Sequence, residues 1–419
     1  MNFALISVIV LLASFFIDFS TEVIPIVTYF DEAVCLFALF QIIRKRNTLL
    51  LYENRFLRKM FNVICIITII GVICNYIFNI QNNLVPILND IGNCFKVFIT
   101  YIGITMCVQT VSNRTIIKSI SLCSKVLYIF VVILMICALL NYIGDFGMRL
   151  SDVRYGLPVF GFLYSGGGIL SNYCYSIIII LSASLLLKQT KPSLKKGQIM
   201  IFIALLVWLT TLRSRAFLCV ILYILLYYQL IIRKKQIRIN FVTIVFGGLL
   251  AYVVVADQIE FYTSSDGMAR YNFIYYGIQT FKDFFPLGAG FGTYGTDVAC
   301  KYYSPLYVKY GFENIWGLSP DDPSLAHDTY WPAIMGQFGL IGIILFVLLI
   351  FFLYKDIINR SKGNPMFKLI AIFICFSQTV ASLATATFFS PVTLYLMFFT
   401  AIVLRANRIT AIHNNFLQR

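Results

Sequence analysis

The chain alternates between long apolar runs and short polar loops along most of its length. A run of about 20 apolar residues is long enough for a helix to cross the hydrocarbon core of a bilayer. Twelve such runs predict transmembrane helices, at 3–20, 23–43, 60–80, 85–108, 126–143, 167–187, 197–212, 216–232, 239–257, 332–354, 368–387 and 390–404. The pattern predicts an all-α polytopic membrane protein with about 12 transmembrane helices, folded as a single integral membrane domain over residues 1–419.

One long polar stretch interrupts this pattern between the ninth and tenth predicted spans. Residues 258–331 are too polar to remain in a membrane and predict a large helical loop that caps the bundle. The stretch Asp266–Phe285 has apolar residues at helical spacing, with Asp266 as its predicted N-cap. A glycine cluster, Gly288–Gly295, follows without the flanking strand of a dinucleotide loop. It predicts a tight turn where the chain closely approaches a ligand or a helix.

The distribution of charge sets the predicted orientation. The chain is 60% hydrophobic and 12% charged, with a net charge of +15. In the twelve-span topology, 24 of the 33 basic residues lie in loops on one side and eight on the other, with Lys96 inside the fourth span. The positive-inside rule makes the richer side cytoplasmic, so both termini are predicted to be cytoplasmic and the 258–331 loop periplasmic. Because the basic residues form no contiguous face, nucleic-acid binding is excluded.

Polar groups inside the apolar runs are few. The eleven cysteines are scattered without a metal-binding or disulfide spacing, which is typical of small buried apolar residues. Asp31 and Glu32 fall within the second predicted span, and Asp90 and Lys96 within the fourth. Intramembrane charges pair or line a polar cavity, so a structural ion pair and a transport path both remain open.

Candidate chemistry gathers in the outer loops. Arg213 and Arg215 flank a very short outer turn, where guanidinium groups suit a phosphate site, although snorkelling to lipid headgroups is an alternative. Arg270 opens the amphipathic segment, which also fits a helix lying on the membrane surface. His327 precedes the tenth span and is a candidate general base.

Several carboxylates lie close to His327 in the sequence. Asp321, Asp322 or Asp328 would orient its imidazole ring. A metal site built from these aspartates and His327 is an alternative, although no established ligand spacing supports it. Thr329 is a candidate cap for the tenth span, whose first turn contains Pro332.

Four stretches in order resemble the Wzy-type O-antigen polymerase and O-antigen ligase superfamily. Arg154-Tyr155-Gly156 with Asn172 resembles an Arg-x-Gly and Asn motif of that family. Arg213-Ser214-Arg215-Ala216 resembles its Ser-Arg-small motif, and Arg270 with Pro286–Gly290 resembles its Arg…Pro-x-Gly-x-Gly loop. The stretch from His327 to Gly342 resembles its His-Asn…Gly-Leu-hydrophobic-Gly signature, with Asp328 in place of the commoner Asn. The resemblance covers about Arg154–Phe352.

The resemblance implies a membrane glycosyltransferase of the bacterial inner membrane with a periplasmic active site. Its donor would be an oligosaccharide linked to undecaprenyl pyrophosphate, and its partners would be membrane lipids and a chain-length regulator protein. His327, Arg215 and Arg270 would be catalytic, with His327 as base and the arginines stabilising the departing pyrophosphate. The expected substrate-binding residues are Arg213, Arg154, Asp322, Asp328 and Tyr330. No metal or cofactor is expected.

Alternative functions differ in the acceptor or in the class of protein. A polymerase would join lipid-linked repeat units, whereas a ligase would transfer the chain to lipid A-core. The divergent motifs favour polymerase. A polysaccharide flippase is the alternative from another class. A flippase should carry its functional charges along the membrane path, whereas the arginines and His327 are predicted at the outer face.

Overall fold

The computed structural model describes residues 3–20, 29–45, 54–164, 167–186, 191–235 and 268–417. The elements in chain order are α1 (Phe3–Ser20), α2 (Phe30–Arg44), α3 (Arg55–Phe78), α4 (Leu84–Thr110), α5 (Asn113–Ile143), β1 (Arg149–Arg154), β2 (Leu157–Phe160), α6 (Gly167–Leu185), α7 (Lys191–Leu209), α8 (Ser214–Tyr227), α9 (Met268–Asp283), α10 (Asp297–Lys301), α11 (Pro305–Lys309), α12 (Tyr330–Arg360), α13 (Pro365–Ala384) and α14 (Pro391–Leu417). A π-helical turn, Tyr228–Ile232, extends α8, and 3₁₀ turns lie at Phe312–Asn314 and Thr387–Phe389.

Membrane-crossing helices dominate the structure. Within the described ranges, eight helices are long and apolar enough to cross a bilayer: Arg55–Phe78, Leu84–Thr110, Asn113–Ile143, Gly168–Leu185, Ser214–Ile232, Tyr330–Arg360, Pro365–Ala384 and Pro391–Ile409. Each overlaps a predicted span, so the multi-pass helical class is confirmed. Helices α1, α2 and α7 overlap three more predicted spans but are not among the eight. The predicted span at 239–257 and the predicted cap residue Asp266 lie outside the described residues. The count of twelve therefore stays a prediction.

Burial separates the central helices from those that face lipid. Most positions in the membrane-crossing parts of α4, α6 and α14 are buried. Most positions in α3 and α5 are not, and large apolar side chains such as Ile69, Tyr76 and Ile129 are exposed there. A helix that is apolar on all sides must be enclosed by protein or solvated by lipid. Helices α4 and α14, which pack against each other, form the centre of the bundle.

Helix α12 is broken at Gly339, and the glycine cluster docks across the break. Gly339 has φ 58° and ψ −156°, a conformation that side chains strongly disfavour. The Ala289 N–H donates to the Gly336 carbonyl at 2.9 Å and the Gly290 N–H to the Gln337 carbonyl at 2.8 Å. A Cβ at Gly288 would lie 2.5 Å from the carbonyl of Gln337. The predicted close approach is therefore confirmed, and the glycines approach a helix.

Residues 268–329, here named the cap, form a small unit above this junction. Phe273, Tyr294, Tyr307 and Phe312 are buried together as its apolar cluster. The Phe273 and Tyr294 rings stack at a centroid distance of 4.8 Å, and those of Tyr307 and Phe312 at 5.2 Å. The glycine cluster belongs to the cap, so its docking fixes the cap to the membrane bundle.

One β-hairpin departs from the all-helical prediction. β1 and β2 pair antiparallel, with Arg154 opposite Leu157 and Val153 opposite Pro158. The two turn residues, Tyr155 and Gly156, have φ values of 52° and 74°. Positive φ at both positions is the geometry of tight two-residue hairpin turns. The Arg-x-Gly spacing therefore places an arginine at the last position of the first strand.

The end of the bundle farther from the cap is closed by a buried polar network. Arg360 donates from Nε to Asp356 Oδ2 at 2.6 Å and from Nη2 to Asn54 Oδ1 at 2.8 Å. Tyr101 donates its hydroxyl to the same Asp356 oxygen at 2.8 Å, and Asn407 donates to the Arg360 carbonyl at 2.8 Å. Four segments of the chain are thereby held together through one arginine and its carboxylate partner.

Candidate functional site

An open cleft of about 960 Å³ lies between the cap and the near ends of the membrane helices. Six predicted site residues line it, although they come from distant parts of the sequence: Arg154, Arg213, Arg215, Arg270, His327 and Asp328. Asn172, which belongs to the first family-like stretch, also lies on its wall. The structure thus brings four sequence stretches into one site.

The turn between α7 and α8 positions two of the arginines. Leu212 takes a positive φ of 48°, which is strained for a branched side chain. Arg213 follows in an extended conformation with φ −88° and ψ 130°, and α8 begins at Ser214. This sharp entry places Arg213 and Arg215 on the cleft wall.

Arg215 is held by one of its two terminal nitrogens. Its Nη2 donates to the Gly168 carbonyl at 2.8 Å, at the start of α6. Its Nη1 is buried and has no hydrogen-bond partner among the described residues. A Cβ at Gly168 would lie 3.3 Å from Arg215 Nη2, so this glycine leaves room for the guanidinium group. The arrangement fixes the guanidinium plane on the cleft wall.

The electrostatics of the cleft favour an anion. Among the described residues, four arginines line it against two aspartates, Asp297 and Asp328. The wall also includes Gly168, Ser214 and Pro391, which lie in the first turns of α6, α8 and α14. The first N–H groups of a helix lack intrahelical partners and carry the positive end of the helix dipole. Three helix N-termini and an excess of arginine suit a phosphate-bearing ligand.

The carboxylates around His327 are arranged differently from the prediction. Asp328 makes an ion pair with Arg270. His327 Nε2 instead lies 3.4 Å from Asp297 Oδ1, which is longer than an ordinary hydrogen bond but within ion-pair range. His327 Nδ1 has no hydrogen-bond partner among the described residues. Asp297, and not a neighbour in sequence, is therefore the carboxylate that faces the imidazole ring.

Sequence reasoning missed Asp297, which the glycine cluster delivers to the site. Asp297 opens α10 directly after the cluster, and Thr296 caps this helix by accepting the Ala299 N–H at 3.3 Å. The Thr-Asp pair after the last glycine was a local signal for a helix start. Its proximity to His327 depends on how the cap folds, which spacing along the chain does not show.

Two predicted substrate-binding residues lie elsewhere. Tyr330 is fully buried, with its ring against Phe388 and Phe389 at centroid distances of 5.3 and 4.9 Å. The first turn of α12 directs it into the bundle, although it is only three positions from His327. Asp322 lies on a cap loop, where its carboxylate accepts the Ser324 N–H at 3.4 Å. Neither residue lines the cleft.

The corner between α13 and α14 was also missed. Thr385, Phe389 and Ser390 line the cleft together with the arginine turn. Apart from Pro391, this corner carries no strong sequence signal, since its small and hydroxyl residues resemble those of many helix connections. Thr385 bonds the Ala381 carbonyl at 3.0 Å and Thr387 at 2.9 Å, so its hydroxyl is held in place.

Other candidate chemistry is not assembled in the described part of the chain. No group of three or more His, Cys, Asp or Glu side chains there is placed to hold a metal ion. Burial raises the pKa of the Cys300 thiol in the cap to about 12, so it stays protonated and is a poor nucleophile. Lys96 and Asp31 form a buried ion pair at 2.9 Å. That contact supports the structural alternative for these intramembrane charges.

Comparison with known proteins gives no identification. No family model matches the chain, and no curated protein matches it. Its function is therefore inferred from the residues of the cleft and their chemistry.

Proposed function

We propose that the chain is a membrane glycosyltransferase that joins oligosaccharide units carried on undecaprenyl pyrophosphate. One observation supports this most directly: four arginines and a histidine–aspartate pair share one cleft at one end of a membrane bundle. A pyrophosphate needs cationic donors, and sugar transfer to a hydroxyl needs a base. A lipid-linked donor also requires both groups close to the membrane surface.

The pyrophosphate of the donor binds between the arginine turn and the helix N-termini. Arg215 contributes its guanidinium group, which the Gly168 carbonyl holds through Nη2 on the cleft wall. Arg213 and Arg154 complete the cationic wall. Arg270 is oriented by Asp328 and faces the same cleft. These guanidinium groups stabilise the negative charge that builds on the leaving group.

In the transfer step, an acceptor hydroxyl oxygen attacks the anomeric carbon. The bond between that carbon and the pyrophosphate oxygen breaks, and its electron pair leaves with the pyrophosphate. The acceptor proton passes to His327, and the carboxylate of Asp297, 3.4 Å away, stabilises the imidazolium that forms. Direct attack inverts the anomeric centre.

A polymerase is proposed over a ligase, and the acceptor tests that choice. Purified protein is incubated with lipid-linked repeat units, with and without a lipid A-core acceptor, and with a chelator in a parallel reaction. Chain growth on repeat units alone is expected, and the chelator should leave it unchanged. Transfer only to lipid A-core would show a ligase. The absence of transfer to either acceptor, from donors that bind, would contradict the enzyme proposal and favour a flippase.

The cleft is proposed to face the periplasm of a bacterial inner membrane. This proposal is supported by the 24-to-8 distribution of basic residues in the predicted topology. Arg360, at the end of the bundle farther from the cap, and Arg405 belong to the richer set, which the positive-inside rule assigns to the cytoplasm. Reporter fusions after Lys234 and within 299–310 should report opposite sides of the membrane. If both report the same side, the proposed topology is wrong.

A further inference from the structure

A buried carboxylate in the membrane bundle contacts the glycine cluster that leads to the site. Asp90, on α4, is fully buried. Its Oδ2 accepts the Gly292 N–H at 2.7 Å and the side-chain amide of Gln337 at 2.9 Å. Burying a carboxylate is costly, and a well-packed apolar residue is often as stable. Packing alone therefore does not explain why a carboxylate occupies position 90.

Further polar contacts lead from Asp90 towards Asp297, the residue that faces His327. Gln337 lies two residues before the break in α12, and its side chain also reaches Thr296 Oγ1 at 3.4 Å. Thr296 caps α10 and directly precedes Asp297. A short chain of polar contacts therefore runs from Asp90 through Gln337 and Thr296 to the residue beside Asp297.

A second clamp limits how the glycine cluster can move. Asn75, on α3, donates its side-chain amide to the Phe291 carbonyl at 2.9 Å and accepts the Phe291 N–H at 2.8 Å. The Phe291 ring packs over Gly71, where a Cβ would lie 2.3 Å from it. Asn75 fixes the middle of the cluster to α3. Asp90 holds the next residue, Gly292, at the start of the segment that leads to Asp297, and the Tyr307 hydroxyl accepts the Gly295 N–H at 2.8 Å within that segment.

We propose that Asp90 is a positioning residue that sets Asp297 against His327 through the docked glycine cluster. This inference rests on the proposed transferase function. A change at Asp90 displaces the Asp297 carboxylate and weakens the stabilisation of the imidazolium, while the arginine side of the cleft keeps its geometry. The effect therefore falls on kcat, and KM for the donor stays close to that of the wild-type protein.

Two substitutions of Asp90 test the contact. Asp90→Leu should lower kcat about tenfold or more, because leucine accepts neither the Gly292 N–H nor the Gln337 amide. Asp90→Asn should retain most of kcat, because one carbonyl oxygen has two lone pairs and can accept from both groups. If Asp90→Leu keeps the wild-type kcat, or if Asp90→Asn loses as much as Asp90→Leu, the proposed contact chain is wrong.

A double-mutant cycle with Asp297 separates positioning from general stability. In an Asp297→Asn background, Asp90→Leu should cause little further loss, since the carboxylate that Asp90 positions is already absent. Losses that multiply would show that Asp90 acts independently of Asp297 and would overturn the proposal. If Asp90→Leu fails to accumulate, Thr296→Val replaces it in the same cycle, with the same two outcomes. An inactive wild-type protein would reject the transferase proposal, whereas an active wild type with multiplying losses rejects only the role of Asp90.

Discussion

Arg360 and Arg215 lie in opposite end regions of the bundle and meet opposite environments. The Arg360 side chain is 8% exposed and bonds Asp356 and Asn54 at 2.6 and 2.8 Å. Arg215 bonds only a backbone carbonyl through Nη2, and its Nη1 has no partner among the described residues. One guanidinium group is matched by a carboxylate inside the protein, whereas no residue in the described part of the chain pairs the other with a carboxylate.

The contrast shows how to distinguish a structural arginine from a candidate ligand-binding one. A buried guanidinium that is paired with a carboxylate has its charge balanced within the fold, and removing either partner costs stability. A guanidinium oriented by a neutral carbonyl in a cleft keeps its charge available for an anion. The cap end should therefore respond to substitution mainly through activity, and the opposite end mainly through stability.

The strongest test of the cap end is His327→Ala. Loss of a positioned general base costs about 10²–10⁴-fold in rate. His327 is 40% exposed and lies outside the bundle core, so folding and donor binding should be largely retained. Turnover with purified lipid-linked donor measures the effect. His327→Gln is the control, because it retains hydrogen bonding but accepts no proton. Near-normal turnover in the Gln variant would leave His327 with a positioning role only.

At the opposite end, Arg360→Gln tests whether the network is structural. Removing one partner of a buried ion pair costs about 3–5 kcal/mol, because the remaining carboxylate is left uncompensated. The Asp356 side chain is 7% exposed. Thermal unfolding in detergent should show a lower midpoint, while activity per folded molecule stays near that of the wild-type protein. A loss of activity without a loss of stability would break the distinction between the two ends.

Arg215→Lys sharpens the comparison because the charge is kept. A lysine ammonium lacks the planar fork, so it would not bond the Gly168 carbonyl and the ligand in the same geometry. Removing one donor that stabilises transition-state charge costs about 10²–10³-fold, and we expect the lower end of that range here. Arg360→Lys is the matched control and should leave activity per folded molecule unchanged. Normal chain formation by Arg215→Lys, or by Arg270→Lys, at normal protein level would contradict the phosphate role.

The smallest effect is expected at Tyr330, despite its position near His327 in the sequence. Its hydroxyl is buried without a hydrogen-bond partner among the described residues. Removing an unpaired buried hydroxyl is near neutral or stabilising, so Tyr330→Phe should change unfolding stability by less than about 1 kcal/mol. Activity should match that of the wild-type protein. A large loss of activity would show that this tyrosine reaches substrate after a rearrangement of the α12 start.

These regions also show what the sequence could and could not predict. Membrane-crossing helices such as α3 and α5 were predictable because apolar run length is a local property. The arginine turn was predictable for the same reason, since Arg213 and Arg215 are exceptions to a local charge rule. The β-hairpin was missed because its strands, of six and four residues, carry no clear alternation of apolar and polar side chains.

The sequence did not predict which residues far apart in the chain contact each other. The sequence predicted the aspartates next to His327 as its partners, but Asp328 pairs with Arg270 and Asp297 faces the imidazole. Asp90 was recognised only as an intramembrane charge, since its contacts with Gly292 and Gln337 depend on the packing of three segments. Such contacts are set by tertiary structure, and single-sequence periodicity carries no information about them.

The break in α12 imposes an order of assembly during synthesis. Ala289 and Gly290 donate their N–H groups to the carbonyls of Gly336 and Gln337. The ribosome adds these acceptors 47 residues later, a delay of roughly 2–10 s at ~5–20 residues per second. During that interval the cap lacks the backbone acceptors that fix it to the bundle. A helix synthesised late therefore serves as the template on which an earlier segment completes its fold.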